Sequence, residues 1–361
     1  MVNIPKTMSG VYLMGHGGLD KLVYREDIPV PTPQADEVLI EVKGAGVNNT
    51  DINTRLGWYS KKVTSDTNAG GTEGLSEVDD DDASWSGVPL QFPRIQGGDV
   101  CGRIVQVGES VEQNRIGTRT LVRSMQNIPT KDNPLAMRTM GSEVDGGFAQ
   151  YCVAKAKESF PINCDWSDIE LASIPISYST AEGMLCRADI QKETILITGA
   201  SGGVGSAAIQ LAKVRGAKII AQCAPDKAST LKKLGADQTV NRNDDLVSVL
   251  GENSVDAVVD LVGGSSWPQL LDILRPGSKY VTSGAIAGPI VDLDLRSLYL
   301  KDLTLFGSTV NDPYVFENVI RCVEEGQIKP LVAQSFPLKE IHKAQTVFME
   351  KKFIGKLVLI P

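Results

Sequence analysis

Residues 194–205 read Thr194-Ile195-Leu196-Ile197-Thr198-Gly199-Ala200-Ser201-Gly202-Gly203-Val204-Gly205. The apolar run 194–198 has the length and β-branched content of a buried strand. Four of the next seven residues are glycine, and residues 204–215 then place Val204, Ala207, Ala208, Leu211 and Ala212 on one helical stripe that Gly216 stops. In a strand–turn–helix unit each glycine has a use. Gly202 permits a tight turn and leaves room for a pyrophosphate to approach the backbone. Gly205 lets the helix pack close to the sheet, and the helix N-terminus offers unpaired N–H groups and positive partial charge. Ala200, Ser201, Gly202, Gly203 and Val204 are therefore expected to hold a dinucleotide, with Ala200 standing where the GxGxxG fingerprint has its first glycine.

Outward from this turn, strand and helix patterns alternate. Residues 218–222, 255–261 and 279–283 read as strands and 227–234 as a helix ended by Gly235, which predicts a parallel sheet covered by helices. Residues before about 165 differ. There, short alternating strands such as 37–42 and 102–107 are punctuated by glycines at 97, 98, 102 and 108. The chain closes with a helix pattern from about Pro313 and an apolar run at 357–360. We expect an α/β chain of three parts: 1–165, 166–310 and a C-terminal return 311–361. Residues 60–89 stand apart: polar, Gly-rich and acidic, with the run Asp79-Asp80-Asp81-Asp82. Such a stretch is expected to bury too little surface for a packed element, leaving a mobile surface insertion or a substrate-selecting loop.

The end of the second strand bears on which dinucleotide binds. An NAD site usually has an acid there for the ribose diol. Here the residues are Ala221-Gln222-Cys223-Ala224-Pro225, and the later Asp226 reads as the cap of the next helix. Lys227 and Arg242 are available to a 2′-phosphate, so NADP(H) is the expected cofactor. The stretch 198–205 also fits TGxxxGxG, a short-chain dehydrogenase turn that requires a downstream Tyr-x-x-x-Lys. Tyr280, Tyr299 and Tyr314 are followed four positions on by Gly284, Leu303 and Asn318, which removes that family.

Composition narrows the remainder. The 361 residues carry 36 Lys+Arg against 44 Asp+Glu, a net −8 without a basic stripe, so neither nucleic acid nor an anionic membrane is an expected partner. No apolar run is long enough to span a bilayer, and residues 1–6 lack a secretory pattern, so a cytoplasmic protein is expected. The only histidines are His16 and His342, and no two of the six cysteines lie closer than 12 positions, so no zinc-ligand spacing exists.

Further motifs occur in a telling order: Gly46-Val47-Asn48-Asn49-Thr50-Asp51, the glycines of 97–108, Gly146-Gly147-Phe148-Ala149-Gln150-Tyr151, the glycine turn, Lys233-Leu234-Gly235-Ala236-Asp237 and Gly355-Lys356. In this order the chain resembles the medium-chain dehydrogenase/reductase superfamily, on its zinc-free quinone-oxidoreductase and enoyl-reductase side, over nearly its whole length except 60–89. The resemblance implies a GroES-like β-barrel domain and a Rossmann domain with the active site between them. Zinc relatives place Cys-His just before Thr-Asp and have a later Gly-His-Glu; this chain has Asn48-Asn49 and Gly97-Gly98-Asp99, so no metal is expected.

What the resemblance implies for chemistry follows from that loss. Without a Lewis acid, hydride addition to a quinone or conjugated C=C is favoured, because charge spreads into an enolate that hydrogen bonds can support. Tyr59 matches a tyrosine over the reacting carbons of some enoyl reductases, as a proton donor or as an aromatic wall. Asn48 matches a residue lining the nicotinamide side. Thr180 matches a cofactor-contacting threonine, Gly284 and Ala285 the cofactor edge, and Phe306, Gly307 and Ser308 the segment passing the nicotinamide ring. The expected activity is NADPH-dependent reduction of a small molecule: a quinone, enone, alkenal or enoyl thioester. A zinc-independent carbonyl reductase and a non-catalytic NADP-binding scaffold are the alternatives. The resemblance also implies a homodimer joined near residues 303–306.

Overall fold

The computed structural model describes residues 4–361. The glycine turn follows strand β1 (Thr194–Ile197), and five more strands come in chain order: β2 (Lys218–Cys223), β3 (Gln238–Asn241), β4 (Val255–Asp260), β5 (Leu274–Thr282) and β6 (Thr304–Gly307). They form one parallel sheet in the order β3-β2-β1-β4-β5-β6. The order reverses beside β1, where open α/β sheets leave a ligand crevice at the carboxyl ends of their strands.

Strand alternation explains the two-sided core. Ile195 and Ile197 face the helix Gly203–Arg215, whose Ala207, Ala208, Leu211 and Ala212 are at most 1% exposed; Leu196 and Val258 face the opposite layer with Trp267, Leu270 and Leu271. Gly216 ends the helix in the left-handed region at φ 86°, where a side chain would be strained. Strand β5 begins earlier than 279–283, because residues 274–278, with Pro276 and Gly277, already belong to it. The second helix spans Ala228–Leu234 and is not capped by Asp226, which lies within the preceding 3₁₀ turn Pro225–Lys227.

The first domain is antiparallel. Glu37–Val47 is its central strand, pairing with Cys101–Val107, Tyr151–Lys155 and, from the far end of the chain, Lys356–Ile360. Thr7–Leu13 lies between Leu22–Pro29 and Arg94–Ile95 in a smaller sheet. The pairing of Lys356–Ile360 carries the last residues away from the parallel sheet and into the first domain's core, where Leu357 and Leu359 are fully buried.

Residues 60–89 are better anchored than their composition suggests. Val63, Thr67, Gly70, Ala83 and Ser84 are buried, and a 3₁₀ turn, Thr67–Gly70, is capped by Asp66 accepting from Asn68 N (2.8 Å) and Ala69 N (3.2 Å). The buried Arg55 donates to the carbonyls of Gly17 (2.8 Å) and Gly71 (3.2 Å), tying the segment to the domain. Backbone and cap hydrogen bonds replace the apolar burial that the sequence lacks.

Candidate functional site

The glycines of the turn differ in what they allow. A Cβ on Gly205 would lie 2.4 Å from Gly199 O and 2.6 Å from Ala200 Cα, so this glycine serves helix–sheet packing. One on Gly203 would lie 2.7 Å from both Lys356 Cδ and Ser177 Oγ, so this one serves domain contact. One on Gly202 would meet only Gly199 O at 3.5 Å, and its φ of −73° is open to any residue. Nothing within the protein requires glycine at 202. That is the cradle expected of a backbone approached by a dinucleotide.

Beneath the turn, Asp260 ties the strand ends together. Its carboxylate accepts from Thr198 Oγ1 (2.6 Å), the Tyr280 hydroxyl (2.6 Å) and the backbone N–H of Val262 (3.0 Å). Burial, and then the Asp260 charge, push the Tyr280 hydroxyl far above its ordinary range, so it remains a donor. Gly284, Ala285, Phe306 and Gly307 converge on one cavity of about 270 Å³ at the ends of β5 and β6. Ser308 is buried and donates its N–H to Thr282 O (2.9 Å). Ala200 is buried with its N–H on Gln222 O (3.2 Å), Val204 is half-buried, and Thr180 is buried on the helix Pro175–Arg187.

The basic pair at β2 divides. Lys227 Nζ donates to the carbonyls of Lys351 (2.7 Å) and Phe353 (3.0 Å) and lies 3.5 Å from Ser201 Oγ. Burial holds its pKa below the ordinary lysine value. Its ammonium thus fastens the C-terminal segment beside the turn, a use its sequence position does not reveal. Ser201 O and Gly355 N–H (3.0 Å) reinforce the contact. Arg242, directly after β3, is exposed, with its N–H on Cys223 O (3.1 Å).

On the facing domain, Asn48 precedes the helix Asn49–Leu56, and its N–H donates to Asp51 Oδ2 (2.7 Å). Both ends of its amide are engaged: Nδ2 donates to Asp99 Oδ2 (2.8 Å) and Oδ1 accepts from Lys356 Nζ (2.5 Å). Lys356 also pairs with Asp99 at 2.7 Å, and Asp99 Oδ1 accepts from Ile176 N–H (2.6 Å) at the start of the helix Pro175–Arg187. Asn48 therefore orients a buried ion pair. Asp51, on the N–H groups of Asn48 and Gly97, is pushed up to about 7, mainly by burial.

Tyr59 donates its hydroxyl to Thr50 Oγ1 (3.1 Å), in the first turn of the same helix. Burial pushes its pKa up to about 12, so it carries its proton at neutral pH. The Trp58 ring meets it edge-on and Trp85 stacks on it. Lys356, Asp99, Thr50 and Trp85 are site residues that the sequence did not single out. Gly355-Lys356 was a visible motif, but no local signal ties Lys356 to Asn48, 308 residues away.

A zinc ion does not fit the donors present. Position 98, where zinc relatives have histidine, is glycine, and a Cβ there would lie 2.5 Å from Ile176 Cδ1. Asn48 and Asp99 are bonded to each other and to Lys356, and among the described residues no group of three His, Cys, Asp or Glu could hold a metal ion. Nor, among the described residues, is any helix long and apolar enough to cross a membrane.

Comparison with known proteins places this geometry. Residues 34–163 match the family model of the alcohol dehydrogenase GroES-like domain, and residues 203–325 match that of the zinc-binding dehydrogenases. A provisionally assigned alcohol dehydrogenase from Sinorhizobium meliloti 1021, known from its crystal structure, is 43% identical, with a TM-score of 0.87 over 99% of this chain and 98% of that one. Quinone oxidoreductase of Rattus norvegicus is 24% identical over 98% of both chains. Acryloyl-coenzyme A reductase of Sulfurisphaera tokodaii is 26% identical over 93% of this chain and 96% of that one.

Proposed function

The chain belongs to the medium-chain dehydrogenase/reductase superfamily of nicotinamide-dependent oxidoreductases, and on that premise we propose that it is a zinc-independent, NADPH-dependent reductase of a quinone or an activated C=C bond. The observation that carries this reading is a continuous set of contacts across the two domains. Gly203 lies against Lys356, Lys356 holds Asn48, and the helix that Asn48 begins presents Thr50 to the Tyr59 hydroxyl. The phosphate cradle and a protonated donor are thereby fixed to one frame.

Bound at the turn, NADPH supplies a hydride. The protein's part is to place the acceptor and meet the charge that develops on its oxygen. Tyr59 is protonated at neutral pH; its O–H, which rests on Thr50 Oγ1, turns to that oxygen and protonates it, and the tyrosinate regains its proton from solvent. The aliphatic stem of Lys356 lies against Gly203 while its ammonium stays on Asp99 and Asn48, so the residue ties the turn to the facing domain. Arg242, exposed and beside the second strand's end, is the residue that would hold the 2′-phosphate.

Loss of NADPH absorbance with a panel of quinones, enones, alkenals and enoyl thioesters tests the reading. Tyr59→Phe is expected to lower kcat by about 100-fold with little change in KM. No turnover on any acceptor refutes the reductase; an unchanged Tyr59→Phe rate refutes the donor. The resemblance to the Sinorhizobium meliloti structure favours ketone reduction as a second reading, which product analysis on an enone separates by whether C=C or C=O is consumed.

We further propose a homodimer joined along β6, the sheet's last strand, beside the exposed side chains of Leu295, Tyr299 and Leu300. Light scattering is expected to give twice the chain mass, and Leu295→Glu with Leu300→Glu a single chain. A wild-type monomer removes this assembly.

A further inference from the structure

The segment 60–89 brings a second aromatic side chain to Tyr59. Trp85 stacks on its ring with centroids 5.8 Å apart and planes inclined by 29°, while Trp58 meets it at 5.8 Å and 76°. Trp85 is half-buried, but its neighbours Ala83 and Ser84 are buried, so the ring stands on an anchored stem. Ser60 Oγ accepts from Asp79 N–H (3.1 Å), and Asp82 accepts from Lys61 N–H (3.0 Å). These bonds hold the run of aspartates against the residues that directly follow Tyr59. At the other end Thr67 N–H donates to Ile286 O (3.3 Å), one residue beyond Ala285 at the cavity edge. The segment thus runs from the proposed proton donor to the proposed nicotinamide side. It carries seven carboxylates against two lysines, a net −5 of the chain's −8.

We propose that this segment selects the acceptor: an uncharged, planar ring compound such as a quinone or cyclic enone, laid against Trp85 and Tyr59, with thioesters of a phosphate-bearing carrier repelled by the acidic rim. The proposal rests on the reductase reading and narrows its substrate class. A flat conjugated ring gains stacking on the aromatic pair that an open-chain alkenal cannot match. A carrier with several phosphate charges must approach past the carboxylates, and that repulsion weakens as salt screens it.

The test compares kcat/KM with NADPH for 1,4-benzoquinone, 2-cyclohexen-1-one and crotonyl-CoA in wild type, Trp85→Phe and Trp85→Ala. Calorimetry alongside follows acetophenone and free coenzyme A binding to the NADP⁺-saturated protein. Wild type is expected to prefer the ring acceptors and to gain on crotonyl-CoA as salt is raised. Trp85→Ala is expected to lose about 3- to 10-fold on the rings and on acetophenone, with Trp85→Phe retaining most of both. Crotonyl-CoA turned over as well as the rings at low salt overturns the proposal and leaves the reductase standing. So does a Trp85→Ala protein that treats rings and acetophenone as wild type does. Trp85-dependent acetophenone binding without turnover of any acceptor supports the ring site and removes the reductase. Loss of both removes both.

Discussion

Replacing Gly202 and Gly205 singly by alanine separates cofactor binding from folding. At Gly202 the new methyl meets only Gly199 O at 3.5 Å, and the backbone (φ −73°, ψ 175°) suits alanine. Stiffening the unfolded chain gains about 0.4–1 kcal/mol. Alanine is a poorer helix N-cap than glycine, which offsets a comparable amount. Stability should therefore stay within about 1 kcal/mol of wild type, a Tm change of no more than about 4 °C. The methyl nevertheless projects where the pyrophosphate must approach. Losing one charge-assisted hydrogen bond there costs about 1.5–3 kcal/mol, or about 10- to 150-fold in Kd for NADPH. Gly205→Ala behaves in the opposite way. Its methyl would press to 2.4 Å from Gly199 O and 2.6 Å from Ala200 Cα, backbone atoms that cannot rotate aside, so about 1–3 kcal/mol of stability is lost. Thermal unfolding and fluorescence titration with NADPH read both effects. If Gly202→Ala binds NADPH as wild type does, the dinucleotide does not lie on this turn. If Gly205→Ala is fully stable, the close-packing argument is wrong.

Three further outcomes follow from the site. Lys356→Met strands the buried Asp99 carboxylate and should cost about 3–5 kcal/mol in denaturant unfolding, partly recovered by adding Asp99→Asn; a loss that the second change does not relieve would show that the pair is not what Lys356 supports. Arg242→Ala should raise the Kd of NADPH on the order of 10-fold while sparing NADH, and equal effects on the two would detach Arg242 from the 2′-phosphate. Asp51 is held up at about 7, above its ordinary value of 3.8, so the folded protein binds its extra proton between those values. The stability this contributes is complete below the lower value and fades as pH rises through about 7. The Tm of wild type should fall relative to that of Asp51→Asn from pH 5 to 8, and a gap constant with pH would place the Asp51 pKa outside that range.

Local features were legible in the sequence and distant partnerships were not. The glycine turn could be read because strand, turn and helix are contiguous and each residue's role is set by its immediate backbone. Gly284, Ala285, Phe306 and Gly307 came from resemblance, and the structure gathers them around one cavity. The carbonyl partners of Lys227 were not legible, because a lysine at a strand end looks the same in sequence whether or not its ammonium also caps the carbonyls of Lys351 and Phe353. Asn48 looked like a lining residue, yet Asp99 and Lys356 reach it from positions 51 and 308 residues away. Residues 60–89 read as unpackable because composition counts apolar side chains, whereas the Asp66 cap and the Arg55 contacts anchor the backbone itself.

The most direct measurement is steady-state NADPH oxidation with 1,4-benzoquinone or 2-cyclohexen-1-one, using protein stripped by chelator and shown by elemental analysis to hold no zinc. Full turnover without metal, unaffected by added zinc, is the expected result, because Asn48, Gly98 and Asp99 offer a metal no set of ligands. Activity that vanishes on stripping and returns with zinc would contradict it.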